Sequence, residues 1–208
     1  MRKNNTSLYL AAIFAVALLI GVGYAALSAT LKINGQTTIS KASWNVHFES
    51  ITTNDSSTIK LYAPSDTNLS SPLSSITSTN ATTLNYRVNL TGPDASAATT
   101  HNVTAKVVNK GTIDATVSTV SLPTAASVTS TNTSAVTAIS KMMTIKCTYD
   151  DGTEIKTGDV IKAGASKNIV CKHHYKAASE LTQSDLTVWN NITSATGNLS
   201  LTLNFTAK

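Results

Sequence analysis

The stretch TLNYRVNL, Thr83–Leu90, decides the fold class of this chain. Its apolar residues Leu84, Tyr86, Val88 and Leu90 occupy every second position and alternate with polar residues. Successive side chains of a β-strand point to opposite faces of a sheet. Strict alternation therefore predicts a half-buried strand with one face on a core and the other in water.

The same two-residue period recurs along the chain. In residues 43–48, Trp44, Val46 and Phe48 share one side, which we expect to face the core. Turn sequences such as Asp150-Asp151-Gly152 separate the strands at short intervals. This pattern predicts an all-β fold, a two-sheet antiparallel sandwich of the jelly-roll or Ig-like kind. The other alternating segments are 102–108, 113–117, 143–149, 169–175 and 199–205.

An apolar leader precedes these strands. Met1-Arg2-Lys3 is basic, and residues 8–24 (LYLAAIFAVALLIGVGY) carry no charge. A basic start, an apolar run and a small-residue exit are typical of a secretory signal peptide, here with cleavage after Ala25 or Ser28. Alternatively, residues 8–27 remain uncleaved as a hydrophobic helix that anchors the chain in a membrane. Both interpretations predict an extracellular or cell-surface protein.

Composition narrows the class of protein further. Residues 29–208 are enough for one β-sandwich domain after a leader at 1–28, and the dense turns suggest no boundary within it. Only 13% of residues are charged, the net charge of +5 is spread along the chain, and aromatics make up 5%. Nucleic-acid binding needs a basic stripe with stacking aromatics, so we expect no nucleic-acid partner.

The two cysteines suit an oxidising compartment. Cys147 and Cys171 each lie in a predicted strand. A bridge between them would stabilise the fold by about 3.5 kcal/mol in the chain-entropy treatment. The alternative is two buried free thiols, which pack as small apolar side chains.

Motifs for catalysis or metal binding are absent from the sequence. It contains neither H-E-x-x-H nor G-x-S-x-G. The adjacent His173 and His174 lie in a predicted strand, so their side chains should point to opposite faces and not share a metal. We therefore expect no enzyme activity, no metal site and no cofactor.

Two segments resemble the TasA/camelysin-type exported proteins of Gram-positive bacteria. One is the leader running into residues 23–31, GYAALSATL. The other is residues 84–117, where a strand, a corner at Gly92-Pro93-Asp94, a second strand and an Asn-Lys-Gly turn follow one another. The family has Pro-Gly-Asp at this corner, so the residue order differs here.

The resemblance implies a jelly-roll or Ig-like sandwich secreted to the cell surface. TasA-type members build extracellular fibres of the biofilm matrix. Camelysin-type relatives are described as surface proteases, but no catalytic motif here supports that activity.

Two functional hypotheses follow from these observations. In the first, cleavage frees an alternating apolar strand, Leu27, Ala29, Leu31 and Ile33, that completes the sheet of another copy, giving a homopolymer. The same strand could instead pair within its own domain. In the second, the uncleaved chain is an anchored adhesion module whose loops at 63–80 or 123–138 contact a glycan or a protein.

Overall fold

The computed structural model describes residues 15–17, 42–77, 79–90, 99–192 and 194–208. Residues 15–17 are helical, and Ala42–Lys208 form one compact unit. The predicted corner at 92–94 lies outside the described residues, as does the rest of the leader. Among the helices of the described residues, none is both long enough and apolar enough to cross a membrane.

Within the described part of Ala42–Lys208 there are eleven strands and two α-helices. The strands are β1 (Val46–Thr53), β2 (Ile59–Tyr62), β3 (Pro72–Leu73), β4 (Ser75–Ile76), β5 (Thr83–Leu90), β6 (Thr99–Asn109), β7 (Ala115–Ser121), β8 (Met143–Tyr149), β9 (Val160–Ile161), β10 (Ser166–Tyr175) and β11 (Ala195–Ala207). The α-helices are α1 (Thr133–Met142) and α2 (Gln183–Asn190), and short 3₁₀ helices cover Ala125–Ser127 and Ala178–Glu180.

The strands form two antiparallel sheets, which confirms the predicted two-sheet sandwich. In the described residues, one sheet has the order β4-β1-β6-β10-β8 and the other has the order β3-β2-β5-β11-β7-β9. The longest pairing joins β6 to β10 over ten positions, from Thr99↔Tyr175 to Val108↔Ser166. Strands far apart in sequence therefore form the middle of each sheet.

The core lies between the two sheets, where the alternation placed it. The bounds of β5 coincide with the predicted strand, and its apolar residues are buried while the residues between them are partly exposed. Phe48, Ile51, Leu84 and Leu201 are among the core side chains that are almost fully buried. Burial of each such side chain contributes about 1.5–3 kcal/mol relative to exposure.

The prediction that Trp44 faces the core is wrong. Its side chain is 46% exposed, and β1 begins only at Val46, which pairs with Asn109 at the end of β6. Before that point the chain pairs with the turn after β6: the Ser43 carbonyl accepts from the Thr112 N–H at 3.0 Å, and the Ser43 N–H donates to the Thr112 hydroxyl at 2.8 Å. Because the neighbour at this position is a turn and not a strand, the period of the sequence no longer determines burial.

Helix α1 begins within residues 123–139, whose many Ala, Thr and Ser residues are compatible with either a long loop or a short helix. Asn132 caps it, its side-chain oxygen accepting from the Ser134 N–H at 3.0 Å. The helix packs on β11 at Gly197, where an added Cβ would lie 2.2 Å from Val128 Cγ1 and 2.7 Å from Ile139 Cδ1. Glycine is needed there because helix and strand approach so closely.

Candidate functional site

The predicted N-terminal sites fall outside the described residues. These are the donor-strand residues Leu27, Ala29, Leu31 and Ile33, and the cleavage positions after Ala25 and Ser28. A strand that adds to a sheet needs an unpaired sheet edge to receive it. Within the described residues of the sandwich, the outermost strand at each end of a sheet is a candidate for such an edge.

The sheet edges differ greatly in length. Three of the four edge strands, β3, β4 and β9, contain two residues each within the described chain. The fourth, β8, runs over seven residues and pairs with β10 along its whole length. Short edge strands offer few backbone groups to a partner, whereas β8 offers a longer template.

The disulfide lies on this edge strand. Cys147 and Cys171 are bonded, and they occupy directly opposite positions of β8 and β10. Both side chains are buried, and the bond spans 24 positions of sequence. The predicted bridge is thus present, it fits an oxidising environment, and it fastens the edge strand covalently to the interior of its sheet.

The outer edge of β8 is paired at its two ends. The Met143 N–H donates to the Ile139 carbonyl at the end of α1. At the other end the Tyr149 N–H donates to the Thr153 carbonyl at 2.9 Å. In an antiparallel pair, alternate residues direct their backbone groups to opposite sides. Ile145 and Cys147 therefore direct theirs to the same outer side. Glu154 forms an antiparallel bridge with Thr148 on this side, so the free backbone groups of the edge are those around Ile145.

A groove of about 460 Å³ runs beside this part of β8. Its apolar wall comes from Leu122 and Pro123 of the segment that follows β7, and from Ile145 and Cys147 of β8. The groove thus lies where the edges of the two sheets meet. An exposed backbone next to apolar pockets is the combination that strand addition uses, for affinity and for specificity respectively.

A buried polar pair connects the two sheets in the interior. The Tyr86 hydroxyl and His173 Nε2 are 2.8 Å apart, and His173 Nδ1 lies 3.3 Å from the carbonyl oxygen of His101. A carbonyl oxygen only accepts, so Nδ1 carries the proton and Nε2 accepts from Tyr86. Burial lowers the pKa of His173 to about 4, so this histidine is neutral at neutral pH.

The polar pair extends towards one end of the sandwich. His101 Nδ1 lies 3.1 Å from Asp55 Oδ2, and its ring centroid is 5.1 Å from that of Tyr175. His173 itself has no solvent exposure. A side chain sealed from substrate cannot serve as an acid or a base, so we assign the pair a structural role.

The side chains of the adjacent histidines point to opposite faces, as predicted. His173 points into the core, whereas His174 is on the outer face, 3.3 Å from the Thr100 hydroxyl and 3.4 Å from Glu180 Oε1. Within the described chain, no group of three or more His, Cys, Asp or Glu side chains could hold a metal ion.

Comparisons of the chain with protein-family models, curated proteins and solved structures found no match.

Sequence reasoning located the bridge but missed the β8 groove and the Tyr86–His173 pair. Alternation places Tyr86 and His173 on inward faces, so their burial was open to prediction. Their contact was not, because 87 positions of sequence separate them.

Proposed function

We propose that this chain is an exported structural protein of the cell surface that assembles into fibres by strand addition. In this proposal, cleavage after Ala25 or Ser28 frees an N-terminal strand that pairs with β8 of the next copy. The observation that carries the proposal is the free middle of the β8 edge, where the outward backbone groups of Ile145 lie beside an apolar groove. The TasA-type resemblance of the leader supports the same assignment.

Two features support export. The leader has the basic start, apolar run and small-residue exit of a signal peptide. The Cys147–Cys171 bond suits a compartment outside the cytoplasm, where thiols are not kept reduced.

The donor strand and the acceptor edge match in pattern, and the contact is short. When cleavage follows Ala25, the donor keeps residues 27–33, of which the positions opposite the free backbone groups around Ile145 would pair with β8. In the donor, Leu27, Ala29, Leu31 and Ile33 would face the groove, while Lys32 would face water. Each copy would donate at one place and accept at another, so the contact does not close and a filament grows.

Electron microscopy of the mature protein tests the role of the donor. Protein with residues 26–33 should form filaments, and protein without them should remain unassembled. Filaments of the same form from the truncated protein would contradict strand donation.

A peptide of residues 26–35, added to the truncated protein, tests the acceptor. It should bind saturably, as measured by fluorescence anisotropy, and the same peptide with Leu31→Lys should bind at least tenfold more weakly. Ile145→Pro removes an outward N–H at an edge, where proline is tolerated, and should abolish binding. Leu122→Glu places a charge in the groove wall and should also abolish it.

Lys172→Ala is the matched control for these acceptor variants. Lys172 is exposed on the neighbouring strand β10, where it pairs with Lys146, and it does not line the groove. This variant should bind the peptide as the unchanged protein does. Equal binding by the folded Ile145→Pro and Leu122→Glu variants would place the acceptor elsewhere.

Mass spectrometry of the native N-terminus separates the fibre from the anchored adhesion module. An N-terminus at Ala26 or Ala29 supports the proposal. An intact Met1 in the membrane fraction would contradict it in favour of the anchored module.

A further inference from the structure

A second surface, the outer-face pocket, lies on the water-facing side of the six-stranded sheet. Its volume is about 300 Å³, at the lower end of the range for small-molecule sites. Its polar lining consists of side chains from β5, β11 and two loops, namely Thr67, Asn85, Ser127, Thr129, Asn198 and Ser200. Both loops thus meet over the same two strands.

The polar lining is uncharged and largely unoccupied by internal hydrogen bonds. Within the described residues, the side chains of Thr67, Asn85, Thr129 and Ser200 make no hydrogen bond, while Asn198 Oδ1 accepts from Arg87 Nε at 2.9 Å. Amides and hydroxyls both donate and accept. The pocket therefore offers several donors and acceptors to one bound molecule.

The walls of the pocket are held in place. Leu69, on one wall, has a φ of 50°, a left-handed backbone conformation that is strained for a non-glycine residue. The Asp66 carboxylate holds this loop, accepting from the backbone N–H groups of Ser70 at 2.9 Å and Ser71 at 2.8 Å. Strain maintained in this way tends to occur at ligand sites.

The opposite wall is fixed by the backbone of β11. Thr129 and Asn198 exchange two backbone hydrogen bonds, of 3.0 and 2.8 Å. The Arg87 guanidinium that holds Asn198 lies 5.2 Å above the centre of the Tyr62 ring. Donors and acceptors on both sides are therefore positioned before any ligand arrives, which lowers the entropic cost of binding.

The chemistry of the lining selects the ligand class. An ionic ligand would find no charged side chain in the lining, and an apolar ligand would leave the amides and hydroxyls unpaired. An extended peptide binds along a sheet edge, whereas this pocket lies on a sheet face. We infer that the outer-face pocket binds a neutral saccharide, whose hydroxyl groups also donate and accept. This binding function is independent of fibre assembly.

Isothermal titration calorimetry of the mature protein with two neutral hexasaccharides, one of glucose and one of N-acetylglucosamine, tests the inference. At least one should bind, and Asn85→Ala with Ser200→Ala should weaken that binding at least tenfold. Ser200→Trp, which fills the pocket from an exposed position, should abolish it.

Asn204→Ala is the matched control. Asn204 is also on the outer face of β11, where its amide donates to the Thr119 hydroxyl at 2.7 Å, but it does not line the pocket. This variant should retain full binding. The inference is overturned if neither hexasaccharide binds, if Ser200→Trp binds normally, or if a hexamer of galacturonate binds more tightly than both neutral probes.

Discussion

Lowering the pH from 7 to 5 protonates histidines in an unfolded chain while most carboxyl groups stay ionised. In the folded protein, burial lowers the pKa of His173 to about 4, compared with about 6.5 when unfolded. Between these values the unfolded chain binds the proton more tightly. The stability associated with neutral His173 is therefore fully present above pH 6.5 and is lost progressively towards pH 4.

The magnitude follows from the two pKa values. At pH 5, His173 alone should lower the free energy of unfolding by about 2 kcal/mol relative to pH 7, and the full shift corresponds to about 3 kcal/mol. Tyr86 cannot offset this loss, because burial raises the pKa of its hydroxyl and it stays neutral. The carboxylate of this network, Asp55, contacts His101 and not His173 itself.

Urea denaturation at pH 7 and pH 5 measures the effect. The comparison is between Tyr86→Phe and Tyr86→Phe/His173→Phe, since both proteins lack the buried hydroxyl. When the pH is lowered from 7 to 5, the free energy of unfolding of the first variant should fall by about 2 kcal/mol more than that of the second. His47, whose pKa is also lowered by burial, is present in both and cancels.

His174→Asn provides the control, because it removes the adjacent histidine from the outer face and leaves the interior unchanged. Equal pH dependence in the two Phe variants, or loss of the pH dependence in His174→Asn instead, would refute the assignment of the effect to buried His173.

Three further stability predictions can be checked by urea denaturation at pH 7. Replacing Cys147 and Cys171 by alanine should cost about 3.5 kcal/mol, because the bond closes a loop of about 25 residues in the unfolded chain; a loss below about 1 kcal/mol would contradict this estimate. Gly197→Ala should cost about 1–3 kcal/mol, because the new Cβ would overlap Val128; an unchanged midpoint would show that Val128 moves freely away from β11. Asn132→Ala should cost about 1 kcal/mol by removing the cap of α1, and no loss would mean that water replaces the cap.

Local alternation allowed much of the fold to be predicted. The strands Thr83–Leu90 and Met143–Tyr149 have the predicted bounds, because their inward side chains meet a core along the whole strand. Trp44 shows where the rule ends, since alternation gives burial only where a neighbouring strand continues the sheet. The helical segment after Pro123 was left open because its small and polar residues favour neither period.

Strand order could not be predicted because the pairings are non-local. Cys171 pairs with Val103 on one side and with Cys147 on the other, and no local pattern distinguishes these neighbours. The outer-face pocket could not be predicted for the same reason. The sequence named both loops as candidate contacts, but only the order of β5 and β11 brings Thr67 and Thr129 to one place.

The position of the disulfide bears on the proposed assembly. A filament under tension would pull on the edge strand that receives the donor, and hydrogen bonds at an edge can open one after another. The Cys147–Cys171 bond joins β8 to β10, which pairs in turn with β6 over ten positions. Load applied to β8 would therefore pass into the middle of the five-stranded sheet.

Under this proposal, reduction of the disulfide should weaken filaments mechanically before it unfolds the subunits. Optical-trap extension of filaments with and without dithiothreitol would measure this difference. Equal rupture forces in the two conditions would show that the disulfide does not contribute to the mechanical strength of the filament.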